Sequence, residues 1–372
     1  MKCTCSKLDL RDAISAVSKA LPAKAQTPIL NGIYISAENN TLVIQATDFS
    51  LGIIAKIPAE IEVEGAVVLP GKFAGEVISK FPGALATISN EEDNSKVNVK
   101  SGSGEYSFYT MNAEEFPKIQ TQEFQNSFSV KKDILRRLIE RSTFACAGAD
   151  DSRPIFKGCS FTVKDSEIIA VATNTHRLAV VKAEFDGNIS EEIKCIVPAV
   201  TLIHLTGIIN SVGSDEEVKI DISEKQIAFT VKNYFVTCRL IDGMFPPHDK
   251  VIPASSETVA FVEVKELKAA INLVSTAARL TEYHTVNMSF KDEGVDVSAD
   301  SYELGKGSQH IGAKIEGPEI NISFNIDYLT DFLRIFPEDE LKISMNDSLS
   351  PAAFNFDEDD EFIYVVTPIR TQ

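Results

Sequence analysis

Six short stretches of this 372-residue chain carry apolar residues at helical spacing. Leu10, Ala13, Ile14 and Val17 make the first stripe, at i, i+3, i+4 and i+7. Phe73, Val77, Ile78 and Phe81 follow, then Leu135, Leu138 and Ile139, then Leu202, Leu205 and Ile209. Leu267, Ala270, Ile271 and Val274 come next, and Leu329, Phe332, Leu333 and Phe336 close the set. Such stripes predict amphipathic helices, here over 6–20, 70–81, 130–144, 197–210, 263–279 and 324–336. Pro70 and Pro198 fall at the starts of two of them, where a helix has no use for the missing N–H. Between the stripes the period drops to two. Thr41–Ala46 with Gly52–Ala55, Glu167–Val171 with Leu178–Val181, and Glu293–Val297 predict short strands. Asn39-Asn40 and Gly102-Ser103-Gly104 read as turns.

The pattern is threefold. Ala46-Thr47-Asp48-Phe49-Ser50-Leu51-Gly52 returns as Ala172-Thr173-Asn174-Thr175-His176-Arg177-Leu178, and more weakly as Ala299-Asp300-Ser301-Tyr302-Glu303-Leu304-Gly305. The intervals are 126 residues (172 − 46) and 127 (299 − 172). Each third reads strand, helix, strands, helix, strands. Three copies of one α+β domain follow, expected at 1–120, 128–247 and 257–372, a normal size for a domain. Polar linkers at 118–127 and 247–258 come after the pairs Phe116-Pro117 and Phe245-Pro246. Internal copies of this kind build quasi-symmetric objects.

Composition narrows the picture. A hydrophobic content of 44% is enough for packed cores, and no apolar run approaches the ~20 residues of a membrane-spanning helix. Met1–Ser6 reads as an alternating strand, with no signal peptide. The six cysteines, at 3, 5, 146, 159, 195 and 238, fit reduced thiols in a cytoplasmic protein better than metal ligands. The net charge of −18 argues at first against nucleic acid. Its distribution says otherwise. The six helix windows hold 14 basic and 9 acidic residues, leaving 22 basic and 45 acidic elsewhere. Lys131, Lys132, Arg136, Arg137 and Arg141 dominate, all in one segment.

No enzyme motif stands out. The five histidines (176, 204, 248, 284, 310) show no ligand spacing. Gly71-Lys72 and Gly305-Lys306-Gly307-Ser308 lack the P-loop glycines and read as turns. The acidic run 357–361, between Phe356 and Phe362, reads as a solvated hairpin tip, because contiguous like charges cannot all converge on one ion. No cofactor and no metal are expected.

Certain stretches are specific in combination. They are Thr27-Pro28-Ile29-Leu30-Asn31-Gly32, Phe116-Pro117, Ala172–Val180, Asp242-Gly243-Met244-Phe245-Pro246 and Tyr364-Val365-Val366-Thr367-Pro368-Ile369-Arg370. With these the chain resembles, end to end, the bacterial sliding clamps, the beta subunits of DNA polymerase III. The resemblance implies a DNA-clamp fold in which each domain has two helices and two antiparallel sheets. It implies a head-to-tail homodimer forming a ring, with helices lining the hole and sheets outside. Such a ring encircles duplex DNA without sequence preference and performs no catalysis. Lys24 and Lys72, with the five basic residues of 131–141, are the expected DNA contacts.

The resemblance also implies a pocket for short peptides from the polymerase catalytic subunit, the clamp loader and other clamp-binding proteins. The matching positions are Phe156, Thr173, Thr175, His176, Arg177, Leu178, Pro246, Lys250, Val251, Val366, Thr367, Pro368, Ile369 and Arg370. Several depart from the family: Thr175 stands where glycine is common, Asn174 where aspartate is, and Lys250 where arginine is often found. Ala199-Val200 lacks a basic pair that some relatives carry, and the tail runs on to Thr371-Gln372. The strand bearing Tyr106 and Phe108 is expected on one side of the dimer contact, and Arg279-Leu280 on the other. The rival readings are a monomeric peptide-binding scaffold and a hydrolase on a repeated α+β frame.

Overall fold

A computed structural model describes residues 1–372 except 26, 91–94, 120–122, 214, 304, 337–339, 357–360 and 371–372. Leu304, the middle of the first linker, nearly all of the acidic run and the Thr371-Gln372 tail therefore lie outside the described residues. All six expected helices form: α1 (Lys7–Val17), α2 (Gly71–Ser79), α3 (Lys132–Thr143), α4 (Ala199–Ile209), α5 (Val264–Ala278) and α6 (Ile326–Leu333). Their apolar stripes explain their placement. Leu10, Ala13, Ile14 and Val17 are buried, as are Leu135, Leu138 and Ile139, and Leu267, Ala270, Ile271 and Val274. The Ser6 hydroxyl accepts from the Asp9 N–H at 3.3 Å and caps α1, and the Asn325 side chain accepts from the Asp327 N–H at 2.9 Å and caps α6. Pro70 is the residue that caps α2 rather than its first turn, and Pro198 ends a strand just before α4.

Two expectations about turns and strands are corrected. Gly71-Lys72 is the start of α2, not a turn, because the Phe73–Ile78 stripe carries the helix back to it. A Cβ on Gly71 would come within 2.5 Å of the Leu21 side chain and 3.0 Å of the Asn31 carbonyl, so glycine lets the helix start close to both. Gly305–Gly312 is a strand paired along its length with Gly294–Ser301; only Gly305, at φ +93°, keeps turn character. The strands are also not all short. Leu51–Val63 is 13 residues long because it serves three neighbours, Thr41–Thr47, Lys2–Ser6 and Tyr234–Arg239. Gly158–Thr173 and Arg177–Pro198 are longer still, at 16 and 22 residues.

The chain divides into two compact units, and the division does not follow the repeats. One unit holds residues 1–135 and 200–240. Its twelve-stranded sheet runs from an edge at Gly104–Tyr109 to an edge at Asn126–Lys131, passing Lys96–Ser101, Leu85–Asn90, Lys2–Ser6, Leu51–Val63, Tyr234–Arg239, Gln226–Val231 and Glu217–Ile222 in turn. Helix α1 packs beside α2 and against Leu51–Val63. The other unit holds 136–199 and 241–372. It has a seven-stranded sheet, from Gly158–Thr173 through Arg177–Pro198, Phe362–Val366, Ala352–Asn355, Glu340–Met345 and Thr258–Glu263 to Lys314–Glu316. A four-stranded sheet of Gly305–Gly312, Gly294–Ser301, Thr285–Lys291 and Ile320–Asn325 completes it. Every pairing is antiparallel. The second repeat thus gives its strands to two different sheets, where period-2 spacing alone pictures each repeat as a closed module.

The cores are ordinary apolar packing with one aromatic concentration. Phe332 of α6 is fully buried and stacks on Tyr364 at 5.0 Å between centroids, with Phe336, Phe354, Phe356 and Phe362 around it. All six cysteines are buried and none is in a disulfide. Burial pushes the Cys3 thiol up to about 11 and the Cys5, Cys159 and Cys238 thiols to about 12, so these stay protonated.

The structure weakens the charge split expected from the sequence windows. Within the true helix bounds there are nine basic and eight acidic residues, a balance of only +1. The rest of the excess sits just outside. Lys80, Arg279 and Arg334 are the C-terminal caps of α2, α5 and α6, and Lys19 follows α1. Cations there meet the negative end of the helix dipole. Lys131 precedes α3, and α4 carries no charge at all.

Candidate peptide pocket and charged helix faces

The repeated turn is held by its own side chains. In the second repeat the Thr173 hydroxyl donates to the Arg177 carbonyl (2.6 Å) and accepts from the Thr175 N–H (3.1 Å). The Asn174 side chain accepts from the N–H groups of His176 and Arg177, both at 3.0 Å. The first repeat does the same. Thr47 donates to the Leu51 carbonyl (2.8 Å) and accepts from Phe49 (3.0 Å), and Asp48 accepts from Ser50 and Leu51 at 2.8 and 2.7 Å. Both turns place their third residue in left-handed backbone, Thr175 at φ +79° and Phe49 at +72°. This explains why glycine suits that position, and a β-branched threonine there is strained.

Behind the turn, Leu178 packs with Val171, Val180, Ala353 and Val365 in a small apolar cluster, with Phe245 and Ile252 against it. A cavity of about 250 Å³ opens over this cluster. Nine of the expected residues line it: Phe156, Thr173, Thr175, His176, Arg177, Leu178, Pro246, Val251 and Thr367. A second cavity of about 490 Å³ shares His176 and Thr367 with the first and takes in Pro368, Ile369 and Arg370. The last segment is anchored by Thr367 N–H to the His176 carbonyl (2.9 Å) and Ile369 N–H to the Ser323 carbonyl (2.7 Å). Val366 is buried in a strand and Lys250 is exposed; neither lines either of these two cavities.

Sequence patterns miss part of each wall. Pro247, His248 and Val365 belong to the first cavity, and Glu282, Tyr283, His284, Asn325 and Tyr328 to the second. Pro247 and His248 directly follow the Phe245-Pro246 pair, and Val365 sits within the closing motif, so both were within reach. Residues 282–284 and 325–328 carry no signal, because only folding brings them to the C-terminal segment. Burial lowers the His248 imidazole, against the neighbouring Asp249 carboxylate, and favours its neutral form. Burial raises the Asp327 carboxyl, but hydrogen bonds from His284 (2.5 Å) and Arg279 (2.9 Å) outweigh it and hold the pKa below the usual range.

Arg177 is less available than its motif suggests. Its guanidinium is turned inward and donates to Asp331 at 2.8 Å, and it lies 4.7 Å from the centroid of the Tyr328 ring. It is 9% exposed, and its Nε has no hydrogen-bond partner. It braces the turn against α6 more than it presents a charge to a ligand.

The basic residues differ in the same way. Lys24, Lys72 and Lys131 are exposed. Lys132 donates to the Val212 carbonyl at 2.9 Å. Arg137 pairs with Glu361, and Arg141 stacks 4.8 Å over Phe336. Arg136 is half-buried. Lys19, not among the expected DNA contacts, is half-buried and donates to the His204 carbonyl. At the expected dimer contact, Tyr106 is exposed on the edge strand Gly104–Tyr109, but Phe108 is 1% exposed. The picture of two exposed aromatics is therefore corrected. Phe108 packs inward against Phe73 and Tyr106 and belongs to the core. Leu280 is exposed, and Arg279 caps α5.

Solved structures place this fold among the DNA polymerase clamps. The sliding clamp from Bacillus subtilis is 31% identical and superposes with a TM-score of 0.92, each chain covered completely. The DNA polymerase III beta subunit from Thermotoga maritima is 25% identical with a TM-score of 0.92, again over both whole chains. Family models then fix the particular group. The chain belongs to the DNA polymerase III beta-subunit family, matching its N-terminal domain at 1–120, its central domain at 129–247 and its C-terminal domain at 249–370. The curated beta sliding clamp of Bacillus subtilis is 32% identical over 382 aligned positions, with both chains covered in full.

The strain at Thr175 can be measured. Backbone held in such a region costs on the order of 1–3 kcal/mol, and glycine returns about 0.5–1 kcal/mol of that as unfolded-state entropy. Thr175→Gly should therefore raise unfolding stability by about 1 kcal/mol in a denaturant titration. A fall in stability would show that the threonine side chain contributes more than its backbone costs.

Proposed function

We propose that this chain is a sliding clamp: a processivity factor that dimerises head to tail into a ring, encircles duplex DNA and tethers a replicative polymerase through short peptides. The observation that carries the reading is the end-to-end match of three clamp domains to three internal repeats. No reaction is assigned to it. Topology holds the DNA, so weak phosphate contacts without sequence preference are enough, and they permit sliding. The acidic remainder of the molecule disfavours DNA on other surfaces. We divide the chain functionally into domains 1–120, 128–247 and 257–372.

The dimer reading rests on unlike edges. Gly104–Tyr109 ends one sheet and Gly305–Gly312 another, and an exposed edge strand invites pairing with a second chain. Phe108 is core, so the informative substitution is Tyr106→Asp. It should shift the solution mass from dimer to folded monomer; an undiminished dimer would put the contact elsewhere.

For DNA, Lys24, Lys72 and Lys131 are the favoured contacts because they are exposed, whereas Lys132, Arg136, Arg137 and Arg141 are half-buried. Replacing the three lysines with glutamine should weaken binding to all duplex sequences alike. It should also flatten the salt slope by about 0.9 for each phosphate no longer neutralised. A slope unchanged by the triple replacement would remove these residues from the interface.

For peptides, the expected ligand has the form Gln-Leu-x-Leu-Phe, its aliphatic and aromatic anchors entering the 250 Å³ cavity and its leading polar residue the adjoining one. Burying a leucine is worth roughly 1.5–3 kcal/mol, and two or three anchors less the ordering cost give an affinity of about micromolar. Val251→Asp puts a charge on the exposed wall and should cost at least about a hundredfold, or ~2.8 kcal/mol. Equal affinity for the variant and the parent chain would exclude this cavity.

A further inference from the structure

Most of the wall that the second repeat gives to the peptide cavity has a counterpart in the first. Pro28-Ile29-Leu30 and Pro154-Ile155-Phe156 form the same short 3-10 turn. Thr47–Gly52 and Thr173–Leu178 share their four hydrogen bonds and their left-handed third residue. The strand from the following repeat pairs in the same register, Gly52 opposite Thr237 as Leu178 is opposite Val365. Phe116-Pro117 matches Phe245-Pro246, which makes Ile119 the counterpart of His248.

Among the substitutions that set the copies apart, two touch each other. In the second repeat Leu178 and His248 both line the open cavity. In the first, glycine replaces the leucine and isoleucine replaces the histidine. A Cβ on Gly52 would meet three carbons of Ile119 at 3.1–3.2 Å. That spacing is tighter than ordinary side-chain packing, so any side chain at residue 52 would push Ile119 back by a few tenths of an ångström. The linker wall has come down onto the turn wall.

We propose that the first repeat contains a second peptide groove of the same chemistry, held closed by Ile119 seated on Gly52, and that this closure limits each chain to one bound peptide. The occupant is a peptide with aliphatic and aromatic anchors, as for the open cavity. Leu30 and the exposed Phe49 supply the apolar surface that Phe156 and Thr175 occupy in the second repeat. The inference rests on the peptide reading of the open cavity.

The test is a calorimetric titration of the full-length chain with the peptide Gln-Leu-Ser-Leu-Phe. Wild type should bind one peptide per chain, and Val251→Asp should bind none in the same range. Ile119→Ala should bind two, the second at least about tenfold more weakly. The Val251→Asp, Ile119→Ala double variant should retain only that weaker site. Ile119 is half-buried, so Ile119→Ser serves equally if the alanine chain does not fold. A folded Ile119 variant that still binds one peptide, with a double variant that binds none, overturns the second groove and leaves the open cavity intact. A wild-type chain that binds no peptide overturns both.

Discussion

The structure depends on one kind of strand pairing. The strand leaving each repeated turn pairs with the last strand of the next repeat, Leu51–Ala55 with Tyr234–Cys238 and Arg177–Val181 with Phe362–Val366. An unpaired edge is costly in sheet hydrogen bonds and risky in solution. Feeding each edge to the following copy removes both problems. It also brings a turn, a linker and a closing strand from distant parts of the sequence to one spot. The 250 Å³ cavity is a by-product of that pairing: Val365 is in its wall because it is the ladder partner of Leu178.

Local rules are broken where that cavity lies. Thr175 holds a left-handed backbone that suits glycine, and Arg177 is a nearly buried cation with an unpaired Nε. Each is compensated nearby. The Asn174 and Thr173 side chains fix the strained turn with four hydrogen bonds, and Asp331 with the Tyr328 ring supports the guanidinium. A buried cation with one carboxylate partner is poor stabilisation and good positioning. It ties the turn to α6 beside Leu178. Sites that must be preorganised tend to concentrate such exceptions.

The electrostatics are more economical than a basic lining suggests. Much of the positive balance near the helices caps their C-terminal ends, where it already stabilises the fold. Arg141 stacks on a ring and Arg137 pairs with a carboxylate. The supply of cations for phosphates is correspondingly small, and α4 offers none. A protein held on DNA by topology can accept weak contacts, since each added phosphate contact steepens salt dependence and slows sliding.

Much of this was legible in the sequence. The six apolar stripes became six helices because burial of one face is a property of local spacing, whatever the face later packs against. The threefold Ala-Thr turn marked the repeat, and the family motifs named nine residues that line one cavity. What the sequence could not convey was decided by pairing between distant segments. Phe108 alternates with Tyr106 like a second exposed aromatic, yet Phe73 on α2 covers it. Residues 282–284 and 325–328 join the second cavity only because the closing segment hydrogen-bonds to Ser323. The second repeat looks like a closed module in one dimension, but its strands belong to two sheets. Periodicity records which face of an element is buried; only the folded chain decides what buries it, because that partner is chosen by long-range hydrogen bonding and shape.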